Sequence, residues 1–145
     1  MKRFLGLDVG DRTIGIAVSD PLGLTAQGVE TIRRSSRKAD LDRLGALMQE
    51  YGTTELVIGL PKHMNGDEGE RCAIVRAFAE EARQAYPDIE AHFWDERLST
   101  VAATRALLAA DVSRRKRKKV IDKMAAVHIL QGFLDRQRMR AEEAN

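Results

Sequence analysis

The chain has 145 residues, 43% of them apolar and 32% charged, with a formal net charge of +2, and this balance predicts one compact domain with a sizeable core. No apolar run approaches the roughly 20 residues of a membrane span, and Asp8 and Asp11 lie where a secretory signal stays uncharged, so we expect a cytoplasmic protein with no membrane partner. The single cysteine, Cys72, excludes an internal disulfide and has no neighbouring Cys or His with which to hold structural zinc.

The N-terminal third of the chain predicts three strands. Residues 3–9 and 14–19 are short, apolar and partly β-branched, and the Gly10-Asp11-Arg12 turn between them suits a hairpin. Residues 27–32 are predicted to pair with the hairpin as a third strand.

A helical period of 3.6 begins at Ser36 and predicts a first helix that ends just before Gly52. The residues on its apolar face are Leu41, Leu44, Met48 and Tyr51. Residues 55–59, ELVIG, then predict a buried strand. Asp67 and Glu70 resemble a capping box ahead of a second helix, whose apolar positions are Ile74, Val75, Phe78 and Ala82.

The last elements complete an α/β pattern. Pro87 ends the second helix, and residues 89–94, IEAHFW, predict a fifth strand. Ser99 can cap a further helix, with apolar positions at Val101, Ala102 and Leu108, and a last helix is predicted from about residue 118 to 138. This order predicts a five-stranded mixed sheet with its first three strands antiparallel and helices on both faces, which matches a ribonuclease H-like fold. We expect a single domain over residues 1–138 and a polar tail over 139–145.

Asp8 is a carboxylate inside an otherwise apolar first strand, close to Gly10. Burying an unpaired charge costs about several kcal/mol, so this group needs a neutralising cation or a proton. An alternative is that Asp8 caps the hairpin turn through the backbone N–H groups of Asp11 or Arg12.

Two further acids favour a metal site. Glu96 follows the fifth strand, and Asp122 lies in the first turns of the last helix, where Ala125 and Ala126 share its face and allow a close approach to the sheet. We expect Asp8, Glu96 and Asp122 to converge. Clustered carboxylates repel one another unless a hard dication such as Mg²⁺ or Mn²⁺ lies among them, so Asp8 is best explained as a metal ligand.

Six consecutive cations lie before the last helix, in a chain whose positive charge is concentrated at that end. Residues 114–145 hold ten Lys and Arg against four Asp and Glu, whereas residues 1–113 hold 14 against 18. This basic block suits a polyanion such as nucleic acid, with a solvated loop or helix start as the alternative. Its residues are Arg114, Arg115, Lys116, Arg117, Lys118 and Lys119.

Four motifs carry a resemblance to a known family: GLDVGDRTIGIAVSD at 6–20, VIGLPKHMNGDEG at 57–69, DERLST at 95–100 and VIDKMAAVHILQGFLD at 120–135. Over nearly its whole length the chain resembles the YqgF/RuvX family of bacterial ribonuclease H-like nucleases. The resemblance implies that the three acids are catalytic, that divalent metal is required and that the substrate is a structured nucleic acid. The resemblance implies that this substrate is precursor 16S ribosomal RNA, free or in a pre-ribosomal particle, or, by older analogy, a branched DNA, the Holliday junction.

Phosphodiester hydrolysis suits two metal ions, about 4 Å apart, one for the attacking water and one for the leaving oxygen. We expect Asp8 to bridge them and Glu96 and Asp122 to complete the two shells. Trimming one RNA end requires only a monomer, whereas a junction with two equivalent scissile strands requires a homodimer.

Three cations outside the basic block are candidate phosphate contacts. Arg97 follows Glu96 and either clamps a phosphate or neutralises Asp95. The resemblance favours a backbone-contact role for Lys62 and its loop. At residues 11–13 the family more often has a sequence such as Thr-Lys-Arg, whereas this chain has Asp-Arg-Thr. Arg12 is therefore the one cation of the hairpin turn that could contact a phosphate.

Two other functions remain open. The first hairpin also resembles the phosphate-binding hairpin of actin-like and sugar-kinase ATPases, but those enzymes need two such domains and this length provides one. A non-catalytic RNA-binding ribosome-assembly factor would use the basic block alone, and it explains the cations but not the acids.

Overall fold

The elements follow the predicted order of three strands and then alternating helices and strands. The structure, a computed structural model, describes residues 2–99 and 114–144, and in its last helix it describes the side chains of residues 124–143. The predicted helix after Ser99 lies outside the described residues. The elements are β1 (Leu5–Val9), β2 (Thr13–Ser19), β3 (Ala26–Arg33), α1 (Arg37–Tyr51), β4 (Glu55–Leu60), α2 (Glu70–Ala85), β5 (Glu90–Asp95), a 3₁₀ turn (Glu96–Leu98) and α3 (Arg114–Ala144).

The five strands form one mixed sheet in the order β3-β2-β1-β4-β5. β2 pairs antiparallel with both β1 and β3, whereas β4 pairs in parallel with β1 and β5 in parallel with β4. The first turn is closed by a hydrogen bond from the N–H of Gly10 to the carbonyl oxygen of Thr13, at 2.8 Å. The predicted hairpin and mixed sheet are therefore confirmed.

Alternating side chains of the sheet supply two separate cores, one on each face. On one face Leu5, Leu7 and Val9 of β1 pack with α1 and α2. On the other face Phe4, Val57 and Trp94 pack with α3. By the two-residue period of a strand, Asp8 belongs to the α3 face.

α1 forms where the helical period and both of its caps were predicted. The Ser36 side chain accepts a hydrogen bond from the N–H of Ala39, and Gly52 ends the helix with a left-handed φ of 61°. Leu41, Leu44 and Met48 are buried as expected.

The capping-box prediction for α2 is wrong. The helix begins at Glu70 with Gly69 as its N-cap, so Asp67 lies two residues too early to cap it. Instead, the Asp67 carboxylate accepts a hydrogen bond from the side-chain NH₂ of Asn65, at 3.0 Å. The backbone N–H of Asp67 donates to the side-chain oxygen of Asn65, also at 3.0 Å. Asp67 is therefore hydrogen-bonded within the Asn65-Gly66 turn and does not cap the helix.

α3 is longer than predicted at both ends. It begins at Arg114 and ends at Ala144, so the basic block forms its first turns and residues 139–144 its last. Arg, Lys, Met, Ala and Glu are all good helix formers, which accounts for the extension in both directions. Within residues 2–99 and 114–144 no helix has the length and apolar content needed to cross a membrane.

α3 lies very close to the sheet at Gly6. A Cβ atom on Gly6 would lie 2.7 Å from the Cβ of Leu130 and 3.0 Å from the carbonyl oxygen of Ala126. The buried small residues Ala125 and Ala126 lie on this contact face, as predicted. The helix and β1 can therefore approach this closely only while position 6 lacks a side chain.

Gly6→Ala is expected to lower the free energy of unfolding by about 2–3 kcal/mol, since overpacking of a rigid contact costs this much. Gly52→Ala, which introduces a Cβ at a left-handed position with open space around it, is the control and is expected to cost only about 1 kcal/mol. Urea unfolding monitored by circular dichroism measures both. An unchanged midpoint for Gly6→Ala would contradict the close packing of α3.

Candidate active site

Asp8 lies buried near the end of β1 with a glycine in each neighbouring strand. Its exposed fraction is 4%, and its partner on β2 is Gly15. On β4 the register pairs Leu7 with Ile58, and one residue further it brings Gly59 beside Asp8. Glycine inside a strand marks a place where another group approaches closely, so the two strands leave space around this carboxylate.

Glu96 fills part of that space from the other side of β4. It is the first residue of the turn after β5 and has an exposed fraction of 8%. Its Oε2 lies 2.6 Å from the point where a Cβ of Gly59 would lie. Because β4 lies between β1 and β5, the structure brings Asp8 and Glu96 to opposite sides of the same glycine.

The backbone of α3 places Asp122 at the same end of the sheet. α3 runs antiparallel to β1, because Leu134 packs in the core with Phe4, whereas Ala126 and Leu130 lie on Gly6. One turn before Ala126, about 6 Å along the helix axis, Asp122 reaches the level of Asp8. Its side chain lies outside the described residues, and among the side chains that are described no group of three or more His, Cys, Asp or Glu could hold a metal ion.

Arg71 is a residue of this site that the sequence analysis missed. It lies in the first turn of α2, and its Nη2 is 3.9 Å from Oδ1 of Asp8. The Arg71 side chain is half-exposed whereas Asp8 is buried. α2 follows β4, which is parallel to β1, so the first turn of α2 lies at the same end of the sheet as Asp8. This position in the chain is the signal by which sequence reasoning could have found Arg71.

Arg97 is engaged within the protein. Its Nε and Nη2 donate to the Asp95 carboxylate at 2.7–3.1 Å, and its Nη1 donates to the carbonyl oxygen of Met64 at 3.3 Å. The hydrogen bond from Arg97 lowers the pKa of Asp95, and Lys62 adds a smaller effect in the same direction. Of the two roles predicted for Arg97, pairing with Asp95 is the one that this geometry displays, and it ties β5 to the loop after β4.

The other predicted cations surround this end of the sheet. Arg12 is exposed in the β1–β2 turn, and Lys62 is half-buried in the loop after β4. The Arg12 carbonyl oxygen accepts from the N–H of Arg34, whose guanidinium also donates to the Gly10 carbonyl oxygen, at 2.8 Å each. The basic block 114–119 lies in the first turns of α3, with its side chains outside the described residues.

The model of the RuvX family, described as Holliday junction resolvase, matches residues 2–136. The chain belongs to this family. It is 58% identical to a candidate pre-16S rRNA nuclease of Moorella thermoacetica over 92% of this chain and 95% of the relative. It is 56% identical to a protein of the same name from Desulforamulus reducens, over 92% and 96%. Family and relatives place it among the hydrolytic nucleases, as the sequence predicted.

Two solved structures share the fold of this chain at low sequence identity. Thermus thermophilus RuvC in complex with a Holliday junction matches with a TM-score of 0.58 and 12% identity, over 94% of this RuvX-family chain and 96% of RuvC. The large terminase nuclease of phage G20c with bound zinc matches with a TM-score of 0.51 and 17% identity, over 87% and 79%. These likenesses confirm the predicted ribonuclease H-like fold class.

The pairing of Arg97 with Asp95 is expected to keep Asp95 ionised below the ordinary Asp pKa, which is about 3.9. The folded-state pKa is lowered, so this pair stabilises the protein above that pH and the contribution is lost as the pH falls through the folded pKa. Carboxyl ¹³C NMR titration should show the Asp95 pKa rising in Arg97→Gln. The pKa of Asp20, lowered chiefly by the backbone N–H of Thr25, should stay unchanged, and an unchanged Asp95 would contradict the pairing.

Proposed function

We propose that this RuvX-family chain is a cytoplasmic, divalent-metal-dependent nuclease that hydrolyses phosphodiester bonds of structured nucleic acid. The observation that carries the proposal is that two buried carboxylates lie at neighbouring strand ends: the Glu96 carboxylate lies against Gly59 of β4, and Asp8 follows Leu7, whose partner on β4 is Ile58. Neighbouring carboxylates repel, so their placement under one helix favours a bound cation.

The residues fit a hard dication. Carboxylate oxygens are the ligands that Mg²⁺ and Mn²⁺ prefer, and the missing side chain of Gly59 lets the Glu96 carboxylate lie against the strand next to β1. Asp8, Glu96 and Asp122 would hold the metal, as two ions of Mg²⁺ or Mn²⁺. When bound, such ions lower the pKa of the attacking water and neutralise charge on the phosphoryl oxygens.

The reaction breaks the bond between phosphorus and the leaving oxygen after water attacks the phosphorus in line. The protein contributes fixed positions for its acids, since Asp8 is held in a strand and Glu96 in a turn capped by the Asp95 side chain. Arg12, Lys62 and the basic block 114–119 would bind phosphates along the substrate, and Arg97 would support the loop that carries Lys62. Affinity should therefore depend steeply on salt.

Precursor 16S rRNA, free or within a pre-ribosomal particle, is the proposed substrate. Two relatives at 58% and 56% identity, each matched over more than nine-tenths of its length, carry the pre-16S nuclease name. A monomer suffices for trimming one end of this RNA.

The Holliday junction is the second candidate substrate. The description of the family model favours it, as does the likeness to RuvC in complex with a junction. Symmetric cleavage of a junction requires a homodimer. Two measurements therefore distinguish the candidate substrates: which nucleic acid is cleaved, and whether the protein is a monomer or a dimer under the assay conditions.

Asp8→Asn is expected to leave the fold intact and to lower the cleavage rate by roughly a thousandfold, because a neutral amide is a poor ligand for a hard cation. The assay compares 5′-extended precursor 16S RNA and a four-way DNA junction, with Mn²⁺ or with EDTA, at low salt. Asp11→Asn, an exposed carboxylate of the same hairpin, is the matched control and should keep full activity. Full activity of Asp8→Asn would contradict the metal site, and tight binding without cleavage by the wild type would favour the assembly factor.

Gly59→Ala is expected to lower kcat by roughly a hundredfold, since its Cβ would displace the Glu96 carboxylate and small misplacements of catalytic groups cost this much. The change also strains the contact with Ile129, so stability must be separated from catalysis. Gly6→Ala strains the same helix without touching an acid, and it should lose stability but keep kcat when assayed well below its unfolding temperature. Equal loss of kcat in both variants would assign the effect to α3 rather than to Glu96.

A further inference from the structure

Arg71 approaches the buried carboxylate of Asp8 without donating a hydrogen bond to it. Its Nη2 lies 3.9 Å from Oδ1 of Asp8, beyond hydrogen-bond distance, so charge attraction alone holds the pair. Three other arginines do donate hydrogen bonds to their acids, Arg97 to Asp95 at 2.7 Å, Arg76 to Glu68 at 2.6 Å and Arg34 to Asp40 at 3.0 Å, whereas the exposed pair of Arg83 and Glu80 is nearly as long as that of Arg71, at 3.8 Å.

The two partners differ in their access to solvent. The Arg71 side chain is 50% exposed, whereas the Asp8 side chain is 4% exposed. Asp8 is fixed near the end of the buried strand β1, but a half-exposed arginine in the first turn of a helix can change its rotamer at small cost. The guanidinium can therefore leave the carboxylate, whereas the carboxylate cannot follow it.

We propose that Arg71 is a phosphate-binding residue that neutralises Asp8 in the metal-free protein and turns to a phosphate of the nucleic acid when a divalent cation takes its place. The inference rests on the proposed function, because it assigns Asp8 to the metal. A guanidinium matches the phosphate group bidentately, and such a contact is stronger than a pair held 3.9 Å apart by charge alone.

This arrangement couples metal binding to substrate binding. While Arg71 faces Asp8, it competes with the cation and is withheld from the substrate. A bound cation removes the reason for that contact and releases the guanidinium. By linkage, the cation should tighten nucleic acid binding and nucleic acid should tighten cation binding by the same factor.

The first test measures the metal without any substrate. Titration calorimetry of the full-length protein with Mn²⁺ should show two- to fivefold tighter binding in Arg71→Gln than in the wild type, about the factor that an exposed ion pair contributes. Arg83→Gln is the matched control, because Arg83 lies on the same helix with 44% exposure and an ion pair of 3.8 Å to Glu80. It should bind Mn²⁺ as the wild type does.

The second test measures nucleic acid binding by fluorescence anisotropy of a labelled RNA hairpin in Ca²⁺ and in EDTA, with the RNA checked for cleavage afterwards. Arg71→Gln should bind more weakly in Ca²⁺, with the slope of log K against log salt reduced by about 0.7–0.9, the value of one lost phosphate contact. It should also lose most of the tightening that Ca²⁺ gives the wild type. Arg71→Lys keeps the charge and should restore the slope, and Arg83→Gln should leave it unchanged.

Opposite signs in the two tests distinguish this role from a structural one. Tighter Mn²⁺ binding together with weaker RNA binding supports the proposal. Weaker or unchanged Mn²⁺ binding in Arg71→Gln, or an unchanged salt slope, would overturn it. A wild type that binds Mn²⁺ and RNA but cleaves neither RNA nor junction would contradict the proposed function while leaving the Arg71 result intact.

Discussion

The contact between α3 and two bare glycines of the sheet determines where the groups of the candidate site lie. At Gly6 the helix backbone approaches β1 within the space of a missing side chain, and at Gly59 Ile129 and the Glu96 carboxylate occupy that space together. If the helix lay at an ordinary distance from the sheet, Asp8 of β1 and Glu96 after β5 would lie beneath a wider gap. The close contact brings the α3 backbone to the sheet at the level of Asp8 and encloses both described carboxylates.

The two faces of the sheet carry different tasks. The face against α1 and α2 is built from large aliphatic residues such as Leu5, Leu7 and Ile58, which bury the most apolar area. The face against α3 contains glycine, alanine and acidic residues near the carboxyl ends of β1 and β4. We infer that the first face supplies the stability that the second face, with its small and charged residues, gives up.

Much of this fold was predictable, because its signals are local in the chain. The α1 caps at Ser36 and Gly52 and the hairpin at residues 10–12 each depend on residues a few positions apart. The proximity of Asp8 and Glu96 was predictable in outline, since ends of parallel strands share one edge. The capping-box prediction failed because two local signals compete for Asp67. Its carboxylate could cap α2 or hydrogen-bond to Asn65, and the structure shows the bond to Asn65. Arg71 was missed because its contact with Asp8 joins elements 63 residues apart, and nothing in the helical period of α2 distinguishes a cation that faces the site from one that faces solvent.

The arrangement of charge also bears on whether the acids serve the fold alone. Two carboxylates beside the same glycine repel each other, and groups of similar shape without charge fill buried positions at equal or better stability. A protein that only bound RNA through cations would gain stability by replacing Asp8 and Glu96, and it would have no need for a glycine at position 59, against which the Glu96 carboxylate lies. The acids, the bare glycine and the loosely held Arg71 are costly or indifferent for folding, but each is what a site requires if it alternates between an internal cation, a metal and a phosphate.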